Sequence, residues 1–407
     1  MSRSGSGAHR VRRRLVGALL AVVVVASAVY FPATLLAPPP TAAASVTSPA
    51  PPSSSPVDPT FPTYGATGVE ALGFDDSLTT SGDTRPRSIA SISKIVTALV
   101  VLDKRPLRGG SGPTITFTAA DHALYDTYLA KNGEVAPMAT GARLSERQTL
   151  QVALIKSANN YAGALSAWAF GSNDQFVAAT RTWLRENHLS NTTLVEPTGL
   201  DPRNRSTAAD LVRLGTLALQ NPDVKAIVAT ERVSIPGVGV VTNSNRLLGV
   251  DGVEGIKTGT LDEAGACLLF ASRETIAGRE VTIVGVMLGG KDHDSLDTDV
   301  RRLLASVRAG FRTVTPVKKG DVVGTYSTKW GATARAEADA TVSRLVYGAP
   351  AISTEVSTER LRSGTAGERV GTLDVAIAGE KVAVPLRLDR ALTAPTAWWR
   401  ITNPQLG

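Results

Sequence analysis

From Leu15 to Leu36 the chain runs for 22 residues without a charge, LVGALLAVVVVASAVYFPATLL, directly after the basic stretch HRVRRR. Roughly 20 apolar residues suffice to cross a bilayer, and an arginine cluster beside such a run stays cytoplasmic. Whatever folds downstream is therefore exported. Two fates are open for the run: an uncleaved N-terminal anchor, or a signal segment cut after the small residues Ala42-Ala43-Ala44. Its length exceeds the roughly 7–15 residues of a usual signal core, which favours the anchor. A buried core helix fits poorly, because Ala37–Pro62 follows with nine of the 23 prolines. That composition predicts a partly polyproline-like spacer, with ordered sequence from about Tyr64.

The same N-terminus explains the charge. The 407 residues carry 43 Lys and Arg against 36 Asp and Glu, a net +7. Arg3, Arg10, Arg12, Arg13 and Arg14 supply five of these charges and leave +2 for the rest. The basic excess marks topology, and no nucleic-acid partner is expected. Cys267 is the only cysteine, so neither an intramolecular disulfide nor a cysteine-rich metal site is possible. His9, His122, His188 and His293 are scattered without close pairs. No metal centre is expected.

Five stretches differ in character: a basic segment over 1–14, the anchor or signal over 15–36, the Pro/Ser-rich linker over 37–62, a mixed helix-and-strand domain over 63–313, and a β-rich domain over 314–407. In the fourth, Ile89–Leu102 reads as an apolar helix. Ser145-Glu-Arg-Gln148 and Thr207-Ala-Ala-Asp210 are capping boxes that open two more. Ala266–Ser272 and Val281–Leu288 read as central strands, and Asp297–Phe311 as an amphipathic helix packed on them. In the fifth, Gly320-Asp-Val-Val-Gly-Thr325 recurs as Gly367-Glu-Arg-Val-Gly-Thr372, which predicts two similar β units in a small sandwich.

Three short motifs carry chemistry: Ser91-Ile-Ser-Lys94, Ser157-Ala-Asn159 and Lys257-Thr-Gly259. Spacing of three places Ser91 and Lys94 on one helical face, about a turn apart. Ile89, Ala90, Ile92, Ile95 and Val96 flank them, so Lys94 should be buried. A buried lysine near a second cation becomes a neutral amine able to take a serine proton. Ser91 near a helix start also places its amide to stabilise an oxyanion. Ser157 and Asn159 fall at a turn between helices, able to project into a cleft. Ser172-Asn173-Asp174 is a decoy that reads as a helix cap. Gly259 before a strand would let a substrate backbone approach closely.

Taken in this order the motifs resemble the signature set of penicillin-binding proteins and class A β-lactamases. The surrounding sequence resembles the low-molecular-weight D-alanyl-D-alanine carboxypeptidases. The resembling stretches are SIASISKIVTALVVL, GARLSERQTLQVALIKSANNYAGALSAWA, EPTGLDPRNRSTAADLVRL, TNSNRLL, GVEGIKTGTLDEAGACLLFAS and VTIVGVMLGG, over about residues 85–312. The resemblance implies a mixed α/β, transpeptidase-like catalytic domain with a small C-terminal β-sandwich domain. It implies an acyl-enzyme on Ser91 with Lys94 as general base, and no cofactor. Ser157 would relay a proton to the leaving D-alanine, and Asn159 would hold the substrate amide. Lys257 and Thr258 would bind the terminal carboxylate, beside Gly259. The amides of Ser91 and Thr260 would form the oxyanion hole. Peptidoglycan stem peptides are the implied substrate and β-lactams the implied inhibitors, with the membrane held through the N-terminal segment.

Asn160, Glu196, Thr260 and Leu261 depart from that family's usual residues, which bears on substrate preference more than on reaction class. Other readings are a serine β-lactamase, a D,D-endopeptidase, or a catalytically silent cell-wall-binding protein. For a lactamase the one suggestive acid is Glu196, whose place in Glu-Pro-Thr-Gly-Leu reads as a turn residue.

Overall fold

The computed structural model describes residues 6–50, 52 and 58–404. Arg3, residues 53–57 of the proline-rich segment and the last three residues lie outside the described residues. The chain divides into two compact units: Met1–Ser53 with Thr313–Arg344 and Pro350–Gly407, and Ser54–Arg312 with Leu345–Ala349.

Helix α1 (Ser6–Leu36) contains the whole apolar run. An 18-residue window within His9–Leu36 has a mean hydropathy of 2.4, and the stretch is long and apolar enough to cross a membrane. Leu15, Leu19, Leu20 and Val25 are exposed along it. Strand β1 (Ala43–Val46) follows at once. Part of the expected spacer is therefore structured, well before Tyr64.

The second unit opens with β2 (Ala66–Ala71) and β3 (Thr79–Gly82). Then come helices α2 (Ser93–Lys104), α3 (Glu146–Ile155), α4 (Asn159–Phe170) and α5 (Ala208–Gln220). Strands β4 (Val253–Leu261), β5 (Gly265–Ile276) and β6 (Arg279–Gly290) precede helix α6 (His293–Ala309). The sheet order is β4-β5-β6-β2-β3, antiparallel at every pairing. Side chains alternate across a strand. Cys267, Leu269 and Ala271 of β5 thus join one core with Leu211, Val212 and Leu214 of α5 and the α2 side chains. Ala266, Leu268 and Phe270 point the other way, against Leu296, Val300, Leu303 and Leu304 of α6. Apolar residues on both faces of β5 and β6 are what a strand covered on both sides requires.

Local signals explain the helix starts. Ser145 Oγ accepts from Gln148 N at 3.2 Å while Gln148 Oε1 accepts from Ser145 N at 2.9 Å, a closed capping box. At Thr207 only half the box forms. Thr207 Oγ1 accepts from Asp210 N, but the Asp210 carboxylate turns to Thr192 Oγ1 and Asn191 N, each at 2.8 Å. Helix α6 begins four residues before the expected Asp297, because Asp292 caps it by accepting from Ser295 N at 2.8 Å. It ends before Phe311, which opens a strand over Phe311–Val317.

In the first unit β1 is joined by β7 (Val322–Ser327), β8 (Thr333–Ala338), β9 (Ile352–Thr358), β10 (Arg369–Ile377) and β11 (Glu380–Leu388). These make one six-stranded sheet, ordered β1-β7-β8-β11-β10-β9. The sequence repeat is a repeated turn. Gly320 and Gly367 both have positive φ, at 90° and 80°. Asp321 and Glu368 each accept from the amide three residues back, Lys318 N and Thr365 N, at 2.7 Å. Strand β1 is itself the sheet edge and pairs with β7, Val46 opposite Gly324 and Ala43 opposite Ser327.

Candidate active site

Ser91 lies in a single 3₁₀ turn, Ala90–Ile92, that leads straight into α2. Ala90 takes φ +45, and Ser93 Oγ donates to Ala90 O at 2.8 Å, which ties the turn to the helix. Lys94, one turn further on, is 1% exposed. Its Nζ donates to Ser91 Oγ at 2.8 Å, Asn159 Oδ1 at 2.6 Å and Thr198 O at 2.7 Å. Three partners exhaust an ammonium group. Burial pushes the Lys94 pKa well down from the ordinary lysine value, and Lys257 adds to that shift.

Ser157 sits between α3 and α4 in the left-handed region, φ +66, and is nearly buried. Asn159 is the first residue of α4, and its amide donates to Glu134 O at 2.7 Å. Asn160, which departs from the resembled pattern, is wholly buried. It pairs both ends of its amide with the backbone of Ala136, at 3.1 and 2.8 Å. That explains the residue as a brace behind the cleft wall. Ser172 caps the helix Asn173–Glu186, as the decoy reading expects.

Lys257, Thr258, Gly259 and Thr260 lie on the edge strand β4. Lys257 is 1% exposed, donates to Thr258 O at 3.0 Å, and burial pushes its pKa down to about 7. Thr258 Oγ1 lies 2.6 Å from Ser244 Oγ. Gly259 corrects the expectation placed on it. A Cβ there would lie 3.1 Å from Ala90 Cβ and Ser91 N and 3.2 Å from Ile89 O. The missing side chain admits the turn that carries Ser91.

The residues of all three motifs meet along one cleft of about 640 Å³, where Ser91, Ser157, Asn159, Thr258, Gly259 and Thr260 are among the lining residues. Lys94 and Lys257 lie buried beneath it. Sequence reasoning passed over other members of this lining, Glu134, Lys156, Ser244, Arg246 and His293. His293 Nε2 lies 2.8 Å from Thr260 Oγ1, and burial holds its pKa below the ordinary histidine value. Arg246 bonds Asp294 at 2.6 Å and Asp297 at 2.9 Å. The stretch TNSNRLL, already part of the resemblance, contains Ser244 and Arg246. Nothing in the sequence around His293 marks it.

Comparison with known proteins identifies the family of the chain. Residues 77–291 match the family described as D-alanyl-D-alanine carboxypeptidase. A D-alanyl-D-alanine endopeptidase of Pseudomonas aeruginosa is 33% identical over 225 residues, covering 53% of this chain and 69% of that protein. A D-alanyl-D-alanine carboxypeptidase of a Streptomyces species is 29% identical over 266 residues, covering 60% of this chain and 88% of that protein. Among solved structures, penicillin binding protein 5 from Haemophilus influenzae superposes with a TM-score of 0.57 at 17% identity, covering 84% of this chain and 99% of that one. At that identity the likeness speaks for the fold. A mutant of a streptomyces DD-transpeptidase gives a TM-score of 0.54 at 25% identity, covering 63% of this chain and 98% of that one. Since the family match extends over more than half of the residues and contains Ser91, Lys94, Ser157 and Lys257, the chain belongs to the serine-type D-alanyl-D-alanine carboxypeptidase family.

Proposed function

We propose that the chain removes the terminal D-alanine from peptidoglycan stem pentapeptides outside the cytoplasm, through an acyl-enzyme on Ser91. The observation that carries this reading is the set of partners around Lys94 Nζ. Asn159 Oδ1 and Thr198 O can only accept, whereas Ser91 Oγ can also donate. When Lys94 loses its proton, two N–H groups stay with the two obligate acceptors. The lone pair is then left facing Ser91, and the hydroxyl turns to donate to it. A depressed lysine pKa favours that neutral state.

In the proposed reaction Ser91 Oγ attacks the carbonyl between the two terminal D-alanines and gives its proton to Lys94. The oxyanion is held by the amides of Ser91 and Thr260. Removing one such donor typically costs ~3 kcal/mol of transition-state stabilisation. The C–N bond then breaks, and the leaving D-alanine amine takes a proton relayed by Ser157, with Lys257 behind it. Asn159 holds the substrate amide, and Lys257 with Thr258 meets the terminal carboxylate beside Gly259. Water hydrolyses the ester and frees Ser91. Residues 63–313 carry the chemistry and 314–407 position the enzyme. Helix α1 is retained as the membrane anchor, its uncharged run of 22 residues exceeding the roughly 7–15 of a usual signal core.

β-Lactams enter the same cleft and acylate Ser91. Glu196, the acid a lactamase reading needs, has both carboxylate oxygens bonded within its own turn, to Thr198 N at 2.7 Å and Gly199 N at 2.6 Å. This supports a penicilloyl group that persists. Intact mass after penicillin treatment should show one stable adduct, absent in Ser91→Ala, and pentapeptide should release free D-alanine. Rapid penicillin hydrolysis that vanishes in Glu196→Gln would reverse the assignment. The endopeptidase relatives at 33% and 32% identity favour a second reading, cleavage of crosslinked peptides. Parallel assays on pentapeptide and on crosslinked muropeptides separate the two.

A further inference from the structure

Glu196 opens the turn Glu196-Pro197-Thr198-Gly199-Leu200, and its carboxylate is the acceptor around which the turn closes. Oε2 accepts from Thr198 N at 2.7 Å and Thr198 Oγ1 at 2.6 Å. Oε1 accepts from Gly199 N at 2.6 Å, Asn204 Nδ2 at 2.9 Å and Asp201 N at 3.4 Å. Donors thus surround both carboxylate oxygens.

The turn so closed faces α2 and the nucleophile. Pro197 O accepts from Thr97 Oγ1 at 2.8 Å, and Thr198 O accepts from Lys94 Nζ at 2.7 Å. Asn204, bonded to Glu196, also donates to Ser93 Oγ at 3.1 Å. Gly199, at φ +89, packs so tightly on the Ser91 turn that a Cβ would fall 1.9 Å from Ala90 O. One carboxylate therefore organises the carbonyl that holds the reacting amine.

We propose that Glu196 is a positioning residue of the reaction: it holds the Thr198 carbonyl against Lys94 and supplies a negative charge that balances the amine in its buried site. This rests on Lys94 being the base that takes the Ser91 proton. Lys94 faces Lys257 on β4, Glu196 in the turn and Glu134 ahead of α3. Burial and Lys257 drive its pKa down, while Glu196 and then Glu134 work against them. Tyr128 is a further titratable group near the turn; burial and the Glu196 charge raise its pKa. A base whose pKa falls too far below the working pH takes up a proton feebly. Glu196 thus limits the depression that burial and Lys257 impose.

The test is the pH dependence of Ser91 acylation by a fluorescent penicillin, measured on the full-length protein. Glu196→Gln keeps the shape of the side chain and removes its charge. Its acid limb should move to lower pH by ~1 unit, the scale of one close opposite charge, and its plateau rate should fall several-fold. Glu196→Asn removes the charge in a shorter side chain and should move the limb the same way, so the test survives if the glutamine variant folds poorly. Glu196→Asp keeps the charge with a shorter reach. It should lower the rate with the limb within a few tenths of a unit of the parent. An unmoved or raised limb in the charge-removing variants, at whatever rate, overturns the proposal and leaves Glu196 a turn residue. Absence of Ser91 acylation in the parent protein would overturn the underlying reading as well, so the two failures are distinguishable.

Discussion

Gly259→Ala is the smallest change that separates a substrate-facing glycine from one that seats the nucleophile. The added Cβ would meet Ala90 Cβ and Ser91 N at 3.1 Å and Ile89 O at 3.2 Å. Carbon contacts are most favourable at roughly 3.5–4.0 Å, so relief requires a shift of a few tenths of an ångström. No side-chain rotation can supply it. Two of the three contacts are backbone atoms, and Ile89 O is itself held by Ile92 N at 3.1 Å. Behind Gly259 its sheet partner Cys267 is wholly buried. The turn must therefore move, at a cost of about 1–3 kcal/mol in stability, the usual range for overpacking. Ser91 Oγ and Ser91 N move with it. A 1 Å displacement of reacting groups can cost roughly a hundredfold, so a few tenths should cost on the order of tenfold in acylation. The assay is the second-order rate of Ser91 labelling by a fluorescent penicillin, alongside thermal unfolding. A folded Gly259→Ala protein that acylates within about twofold of the parent would refute the reasoning, because tenfold is the loss derived from the displacement.

Three other outcomes follow from the structure. Burial depresses the Lys257 pKa to about 7, so between about 7 and the ordinary lysine value the unfolded chain holds a proton that the folded one lacks. Stability should therefore rise with pH across that window, and Lys257→Met should flatten the rise in pH-dependent denaturant melts; an identical slope in both proteins sinks the assignment. A protein cut to residues 63–315 should still acylate. It should melt lower than the parent, because Tyr347, whose ring lies 4.9 Å from Phe311 and which belongs to the catalytic unit, is removed. Loss of acylation in such a protein while it still unfolds cooperatively would place part of the site beyond residue 315. Membrane fractionation should recover the full-length chain in the membrane. Cleavage after Ala44 would leave only two of the four β1 residues, so a soluble form starting near Ser45 would count against the anchor.

Much of the site was legible because its signals act over one helical turn. Ser91 and Lys94 share a face by spacing alone, and the Ser145–Gln148 box closes between residues three apart. The unbroken apolar runs of β5 and β6 marked them as central strands for the same reason. Even the late start assigned to α6 is a local error: His293, Asp294 and Ser295 carry no apolar period, and the Asp292 cap outweighs that absence.

Everything that turns the motifs into a site depended on contacts across long stretches of chain. Asn159 is 65 residues from Lys94 and Thr198 is 104, yet both hold its amine. Thr260 and His293 meet from 33 residues apart. The role of Gly259 changed sides once β4 was seen to run along the Ser91 turn. Part of the proline-rich stretch read as a free spacer, but Ala43–Val46 completes a sheet edge whose partner begins near residue 324. Composition and periodicity encode how each segment can bury its own apolar face. Which polar groups then meet is decided by how helices and sheet pack, and no pattern within a few residues carries that information.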